Sequence, residues 1–249
     1  MPNPNEREPN EQEPNEQEQR GREPNEQEPP HPADVVRAAY GAFDAVVAPL
    51  SDEQSWLPTG CTGWSVRDLV FHCVSDAQRG LVALHTPSDR APDRDAVTYW
   101  EDWRPEPVGA AAGRRFNRVV AGMFLHVDQL WELYAQTAAA VVHAAAAASV
   151  DRPVATQGHV LRSGDLLRTL AVEATIHHLD LVVSLPDAAG PPQQGLAEVR
   201  RTLDGLLGRP APTAWDDAHY ARAATGRAPL TAADRDHLGA DAARFPLFG

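Results

Sequence analysis

The side chains best suited to metal chemistry lie one helical turn apart, at Glu173 and His177, in a segment that is otherwise mostly apolar. A buried carboxylate is unfavourable unless it is paired or coordinates a cation. Residues at i and i+4 of a helix have Cβ atoms about 5–6 Å apart, so two ligands from one helix can bind the same ion. A hydrogen-bonded Glu–His pair in the core has the same spacing, so this pair alone does not decide between a metal site and a structural contact.

A third ligand is available at His72, on another predicted helix. Two histidines and one carboxylate form a set with which proteins bind zinc when one coordination position stays open. Helical projection places His72 away from the apolar stripe of its own helix, near Asp76 and Arg79, so a surface histidine is the alternative. We expect instead a polar pocket in which this strip faces Glu173 and His177 across the gap between two helices.

Asp180 follows His177 by about one turn and could accept the second ring proton of a ligand histidine. A salt bridge at the helix end is the alternative for this residue. Cys61 precedes a predicted helix, where a thiol pKa can be lowered, but no base is evident nearby and an inert thiol is expected. Cys73 is expected in the core. The other histidines of the predicted helices are expected to be structural or exposed; they are His126, His143 and His178.

The elements that must position these groups are four long helices, predicted from apolar residues at helical spacing. They are expected from Asp34 to Pro49, from Ser65 through Ala77, from Phe116 to Ala148, and from Ser163 or Asp165 to Pro186. No convincing alternating strand pattern is present, so the predicted fold class is all-α, with a four-helix bundle as its core.

Asp34 and Ser65 are the predicted caps of the first two helices, and Ser65 is paired with Asp68 three residues later. The proline-rich residues 86–109, which include a cluster of aromatic side chains, indicate a long ordered connection. Connections of this length often carry function.

Three regions are predicted along the chain. Residues 1–32 repeat the sequence PNEQE and contain no apolar residue after Met1, so we expect an acidic disordered tail. Residues 33–186 are assigned to the bundle. Residues 187–249 are assigned to a smaller C-terminal extension packed on it, because their apolar content is too small for an independent core.

The overall composition argues against several classes of partner. The formal net charge is −13, with 35 acidic and 22 basic residues, which disfavours attraction to nucleic acid or to an anionic membrane. Two cysteines are too few for a disulfide framework, and no signal peptide or apolar membrane-spanning stretch is present. A cytoplasmic protein without nucleic acid or membrane partners is therefore predicted.

Three segments together carry a resemblance to a known family. They are WLPTGCTGWSVRDLVFH, VEATIHHLDL and ATGRAPLTAADRDHLG, starting at Trp56, Val172 and Ala224. In this order they resemble the mycothiol-dependent maleylpyruvate isomerase family. The resemblance implies a DinB-like four-helix bundle and a divalent ion, usually zinc, held by His72, Glu173 and His177.

The same resemblance implies that Asp180 and Arg227 help at the active site, and that mycothiol is the thiol cosubstrate. A thiol bound in an open zinc site loses its proton more readily and becomes a nucleophile. Addition to a small electrophile, rotation and expulsion of the thiol is cis–trans isomerisation, whereas loss of another group is S-transfer.

Two alternatives to the enzyme remain at this point. One is a metal-binding bundle without turnover, with a stress or regulatory role. The other is a protein without a metal, in which His72 is exposed and the Glu–His pair only satisfies the core. The electrophilic substrate, the native metal and the oligomeric state are left open by the sequence.

Overall fold

The computed structural model describes residues 29–103, 107–211 and 215–249. In these ranges the chain forms eight α-helices and one antiparallel hairpin. The helices are α1 (Pro32–Val47), α2 (Val66–Leu84), α3 (Pro107–Ala121), α4 (Val127–Ala147), α5 (Ser163–Leu181), α6 (Gln193–Leu207), α7 (Asp217–Ala224) and α8 (Ala232–Leu238). Most of the predicted acidic tail lies outside the described residues.

The bundle consists of α1, α2, α4 and α5. Both α1 and α2 pack against α4 and against α5, and their apolar faces meet in one core around Phe43, Leu69, Leu130 and Leu170. The prediction of an all-α fold built on a four-helix bundle is confirmed. Among the described residues, no helix has the length and apolar character needed to cross a membrane.

The helix predicted from Phe116 to Ala148 is wrong as one element, because the chain breaks between α3 and α4. The Gln129 side chain accepts hydrogen bonds from the backbone N–H groups of Leu125 and His126. Asp52, from the loop after α1, accepts the N–H of Val127 at 2.6 Å. These contacts satisfy the donors at the start of α4 and so stabilise a new helix start.

Of the two predicted helix caps, Ser65 is confirmed and Asp34 is wrong. Asp34 lies inside the first turn of α1, which begins at Pro32 after a His31 cap; proline suits the first helical position because its missing N–H needs no partner there. At α2 the prediction is confirmed, since Ser65 and Asp68 form a capping box.

A two-stranded hairpin is present that the sequence analysis did not predict. β1 (Pro153–Thr156) pairs with β2 (His159–Arg162). The turn between them places Gln157 and Gly158 at φ values of 46° and 86°, the left-handed region favoured in tight hairpin turns. β1 packs against α2, so the hairpin lies near the far end of the helix that carries His72.

The C-terminal helices cover the side of α5 that faces away from the bundle. Val172 and Ile176 of α5 join a second apolar cluster with Val199, Leu203 and Tyr220. With one face in the bundle core and another in this cluster, α5 is buried almost all round. Its nearly continuous apolar sequence follows from this double packing.

Candidate active site

His72, Glu173 and His177 come together between α2 and α5. Glu173 Oε1 lies 3.2 Å from His72 Nε2 and 3.4 Å from His177 Nε2. One ligand atom from each of the three residues lies within 4.8 Å of the others. About a quarter of the His72 and Glu173 side chains is exposed, so the cluster between the two helices is accessible to solvent.

Aromatic packing fixes the two imidazoles. Their ring centres are 4.6 Å apart, with the planes nearly perpendicular. Trp64, from the loop before α2, packs 5.0 Å from the His72 ring and 6.4 Å from the His177 ring. His72 therefore lies off the apolar stripe of α2, but the rings of Trp64 and His177 pack against its imidazole.

The electrostatics of the cluster favour an ionised Glu173. Burial alone would raise the pKa of this carboxyl, yet hydrogen bonds from His177 and His72 hold its pKa well below the usual range. For His177, burial opposes the charged form, but hydrogen bonds to Asp180, Cys61 and Glu173 raise its pKa well above the usual value. Without a bound cation, these contacts therefore favour the charged imidazolium form of His177.

Behind His177, Asp180 and Arg227 form a buried ion pair. Asp180 Oδ2 accepts a hydrogen bond from His177 Nδ1 at 3.0 Å, and Arg227 Nε donates to both carboxylate oxygens at 2.8 and 2.9 Å. Burial opposes ionisation, but His177 and Arg227 lower the pKa of Asp180 to about 2. Asp180 therefore makes both contacts considered for it, and its charge fixes which ring nitrogen of His177 faces Glu173.

Cys61 is the neighbour that the sequence analysis missed. Its Sγ lies 3.1 Å from Asp180 Oδ2 and 3.7 Å from His177 Nδ1, so the expectation of a thiol without a nearby base is wrong. The Gly60 N–H donates to the Asp180 carbonyl at 3.0 Å and fixes the loop against α5. Since Cys61 and Asp180 are 119 residues apart in sequence, no local pattern reveals the contact.

The remaining histidines and Cys73 are structural or exposed, as expected. His178 is buried, and its Nε2 bonds to the Ala189 carbonyl at 2.9 Å. Cys73 is buried in the core, and desolvation raises its pKa. His126 and His143 are exposed.

Gly60 allows the close approach of its loop to α5. A Cβ at this position would lie 2.4 Å from Asp180 Oδ1 and 3.1 Å from Asp180 Cα. We expect Gly60→Ala to lower the free energy of unfolding by about 1–3 kcal/mol through overpacking, because Asp180 must shift. Chemical denaturation measures the effect.

Gly41→Ala is the matched control for this prediction. Gly41 lies on the exposed side of α1, and an added Cβ would meet nothing within 4 Å. Alanine there should stabilise the protein by about 0.5–1 kcal/mol, since glycine loses more freedom in a helix. A Gly60→Ala protein as stable as wild type would contradict the tight contact.

Two comparisons with known proteins found a match. The profile of the family described as mycothiol maleylpyruvate isomerase N-terminal domain matches residues 36–182, more than half of the chain. A solved structure described as a mycothiol-dependent maleylpyruvate isomerase aligns over 73% of this chain and 70% of that chain, with 17% identity and a TM-score of 0.48. Among curated proteins, none is detectably similar to this chain.

The matched residues contain two of the three segments that carry the resemblance, and with them His72, Glu173, His177 and Asp180. Arg227 lies beyond the matched range. Because the profile covers most of the bundle and all three candidate ligands, the chain belongs to the mycothiol maleylpyruvate isomerase N-terminal domain family, as its sequence motifs predict.

Proposed function

We propose that the protein is a zinc-dependent enzyme that uses mycothiol as the nucleophile against a small electrophilic substrate. The observation that carries the proposal is the convergence of His72, Glu173 and His177 on one point, with Asp180 and Arg227 behind His177. The family match supplies the thiol, since the family is named for a mycothiol-dependent reaction.

The donor set fits a divalent ion. Two imidazole nitrogens and one carboxylate oxygen from facing helices are the ligands that zinc takes in sites with an open position. When bound there, the ion would lower the pKa of a thiol in the open position, so that a thiolate is available at neutral pH. The negative charge of Glu173 would partly offset the positive charge of the bound ion.

Residues around the three candidate ligands would hold them in the orientation that an ion needs. Asp180 accepts a hydrogen bond from the Nδ1–H of His177, so that Nε2 is the ring nitrogen left to bind the ion. Arg227 keeps Asp180 ionised, because its guanidinium contacts both carboxylate oxygens. Trp64 packs on both imidazoles and limits their rotation.

Two reactions begin with the same step, formation of a bond between the thiol sulfur and an electrophilic carbon. In isomerisation the sulfur adds to an activated double bond, the resulting single bond rotates, and the sulfur leaves with the original electron pair. In S-transfer the leaving group departs with the electron pair of its own bond to carbon, and the sulfur stays bound through the pair that it donated. The family is named for an isomerase, so isomerisation is the first of the two reactions to test.

Calorimetric titration with mycothiol, using zinc-loaded and metal-free protein, tests the proposal. We expect binding that requires zinc, followed by turnover when small electrophiles are screened for adducts and for isomerised products. If the zinc-loaded protein does not bind mycothiol, the thiol mechanism fails and a metal-binding bundle without turnover becomes the better account.

Zinc binding should also release protons. Its contacts raise the pKa of His177 and favour the imidazolium form in the metal-free protein, whereas a ligand imidazole must give up its Nε2 proton. We expect release of about one proton at pH 7 and weaker zinc binding as the pH falls. Calorimetry in buffers of different ionisation enthalpy measures the release; an identical heat in every buffer would contradict it.

A further inference from the structure

A second polar cluster lies beside the triad, on the same side of α2. Asp76 and Arg79 follow His72 on the same strip of α2. With a rise of about 1.5 Å per residue, they lie about 6 and 10 Å from His72 along the helix axis. Only 12% of the Asp76 side chain and 16% of the Arg79 side chain is exposed. Placing a charged pair at this depth is costly and calls for a role.

Three segments of the chain hold Arg79 in place. Its Nε and Nη2 donate to Asp76 Oδ1 at 2.9 and 2.6 Å, and its Nη1 donates to Thr156 Oγ1 in the hairpin at 3.3 Å. The guanidinium carbon lies 5.9 Å from the centre of the Tyr99 ring. Both hydrogen bonds from Arg79 to Asp76 use Oδ1, so Oδ2 can still accept a hydrogen bond from a ligand.

The rim of the cluster adds an amide and an aromatic face. Tyr99 donates its hydroxyl proton to Gln157 Oε1, which leaves the Gln157 NH₂ group as a donor. The Trp103 ring lies 5.8 Å from the Tyr99 ring and is 41% exposed. An exposed indole beside fixed polar groups is suited to the apolar face of a ring-shaped ligand.

These groups select for a neutral, hydroxyl-rich ligand. The charges of Asp76 and Arg79 cancel within the pair, so an anion gains little there. A hydroxyl group can both donate and accept hydrogen bonds. It can therefore donate to a carboxylate oxygen and accept from the guanidinium and amide groups beside it. We infer that Asp76, Arg79, Gln157 and Trp103, which we call the polar shelf, bind the sugar and inositol rings of mycothiol.

The position of the polar shelf fits this assignment, which rests on the proposed function. The thiol sulfur would lie at the triad, and the hydroxyl-bearing rings would extend along α2 towards the hairpin. The offset of about 6–10 Å along the helix is within the reach of a cysteinyl group joined to two rings. Asp76 and Arg79 therefore act in thiol specificity and not in zinc binding.

The test compares two thiols on the zinc-loaded full-length protein. N-acetylcysteine carries the same thiol group as mycothiol but lacks both rings. We expect Asp76→Asn to weaken mycothiol binding about 10-fold, as for loss of a hydrogen bond to a charged group, and to leave N-acetylcysteine binding unchanged. Gln157→Asn, at an exposed turn position whose backbone conformation asparagine accepts, should act in the same direction.

Asp34→Asn is the matched control, because Asp34 and Arg37 form an exposed ion pair with the same i, i+3 spacing on α1. It should change neither affinity. If Asp76→Asn weakened the binding of both thiols equally, the polar shelf would be overturned. The same holds if neither Asp76→Asn nor Gln157→Asn changed the affinity for mycothiol. Wild-type protein that binds both thiols equally would do the same while leaving the thiol mechanism intact. Binding of neither thiol would overturn both proposals.

Discussion

Glu173→Ala is expected to abolish stoichiometric zinc binding and, with it, binding of mycothiol. Glu173 Oε1 is the atom that both imidazole nitrogens approach within 3.4 Å. Loss of a residue that only orients a metal ligand weakens binding about 10–100-fold, so loss of a ligand itself should cost more than about 100-fold. Metal analysis after purification and a competition titration measure the effect.

The control for this variant is Glu132→Ala, which removes an exposed glutamate from the surface of α4. It should retain one zinc ion per chain and wild-type affinity for mycothiol. If Glu173→Ala kept its zinc, the ligand assignment would fail. If it lost the zinc but still bound mycothiol, the ion would have no part in thiol binding.

Asp180→Asn is expected to weaken zinc binding about 10–100-fold through the orientation of His177. It should also destabilise the protein, because it leaves the Arg227 guanidinium without its carboxylate in a nearly buried position. Breaking a buried ion pair in this way costs about 3–5 kcal/mol. Zinc competition and chemical denaturation measure the two effects.

The stabilising effect of Asp180 depends on pH in a defined direction. Its folded-state pKa of about 2 lies below the ordinary value of 3.8. The contribution of the carboxylate is therefore fully present above the ordinary value and is lost as the pH falls through about 2. The difference in unfolding free energy between wild type and Asp180→Asn should shrink over that acidic range.

A double variant separates the two roles of Asp180. Asp180→Asn combined with Arg227→Met removes both charges and should recover much of the lost unfolding free energy. Zinc affinity should stay low, because the oriented carboxylate is still missing. If the double variant recovered both the unfolding free energy and the zinc affinity, Asp180 would act only on stability. Asp187→Asn, on the exposed turn after α5, should change neither.

The parts of the fold that are set locally could be predicted from the sequence. The capping box of Ser65 and Asp68 spans four residues, and the pairing of Glu173 with His177 depends only on helical spacing. The burial of α5 follows from its apolar composition. The proximity of His72 to this pair was predicted because an imidazole there would complete a ligand set, although helical projection gave no support.

Other features depend on contacts distant in sequence. The break before α4 is stabilised by Asp52, which lies 75 residues from its partner Val127. The hairpin strands have only four residues each, too short for an alternating pattern to stand out. Cys61 reaches Asp180 only because the Gly60 loop packs on α5, for which a glycine before the cysteine was the single local signal.

The most direct measurement is optical titration of cobalt-substituted protein with mycothiol. Cobalt takes the same ligands as zinc but absorbs light, and a thiolate ligand adds a charge-transfer band in the near ultraviolet. We expect this band to appear in wild type, to saturate at one mycothiol per chain, and to be absent in Glu173→Ala. Cobalt-loaded wild-type protein that binds mycothiol without the band, or does not bind it, would contradict the account.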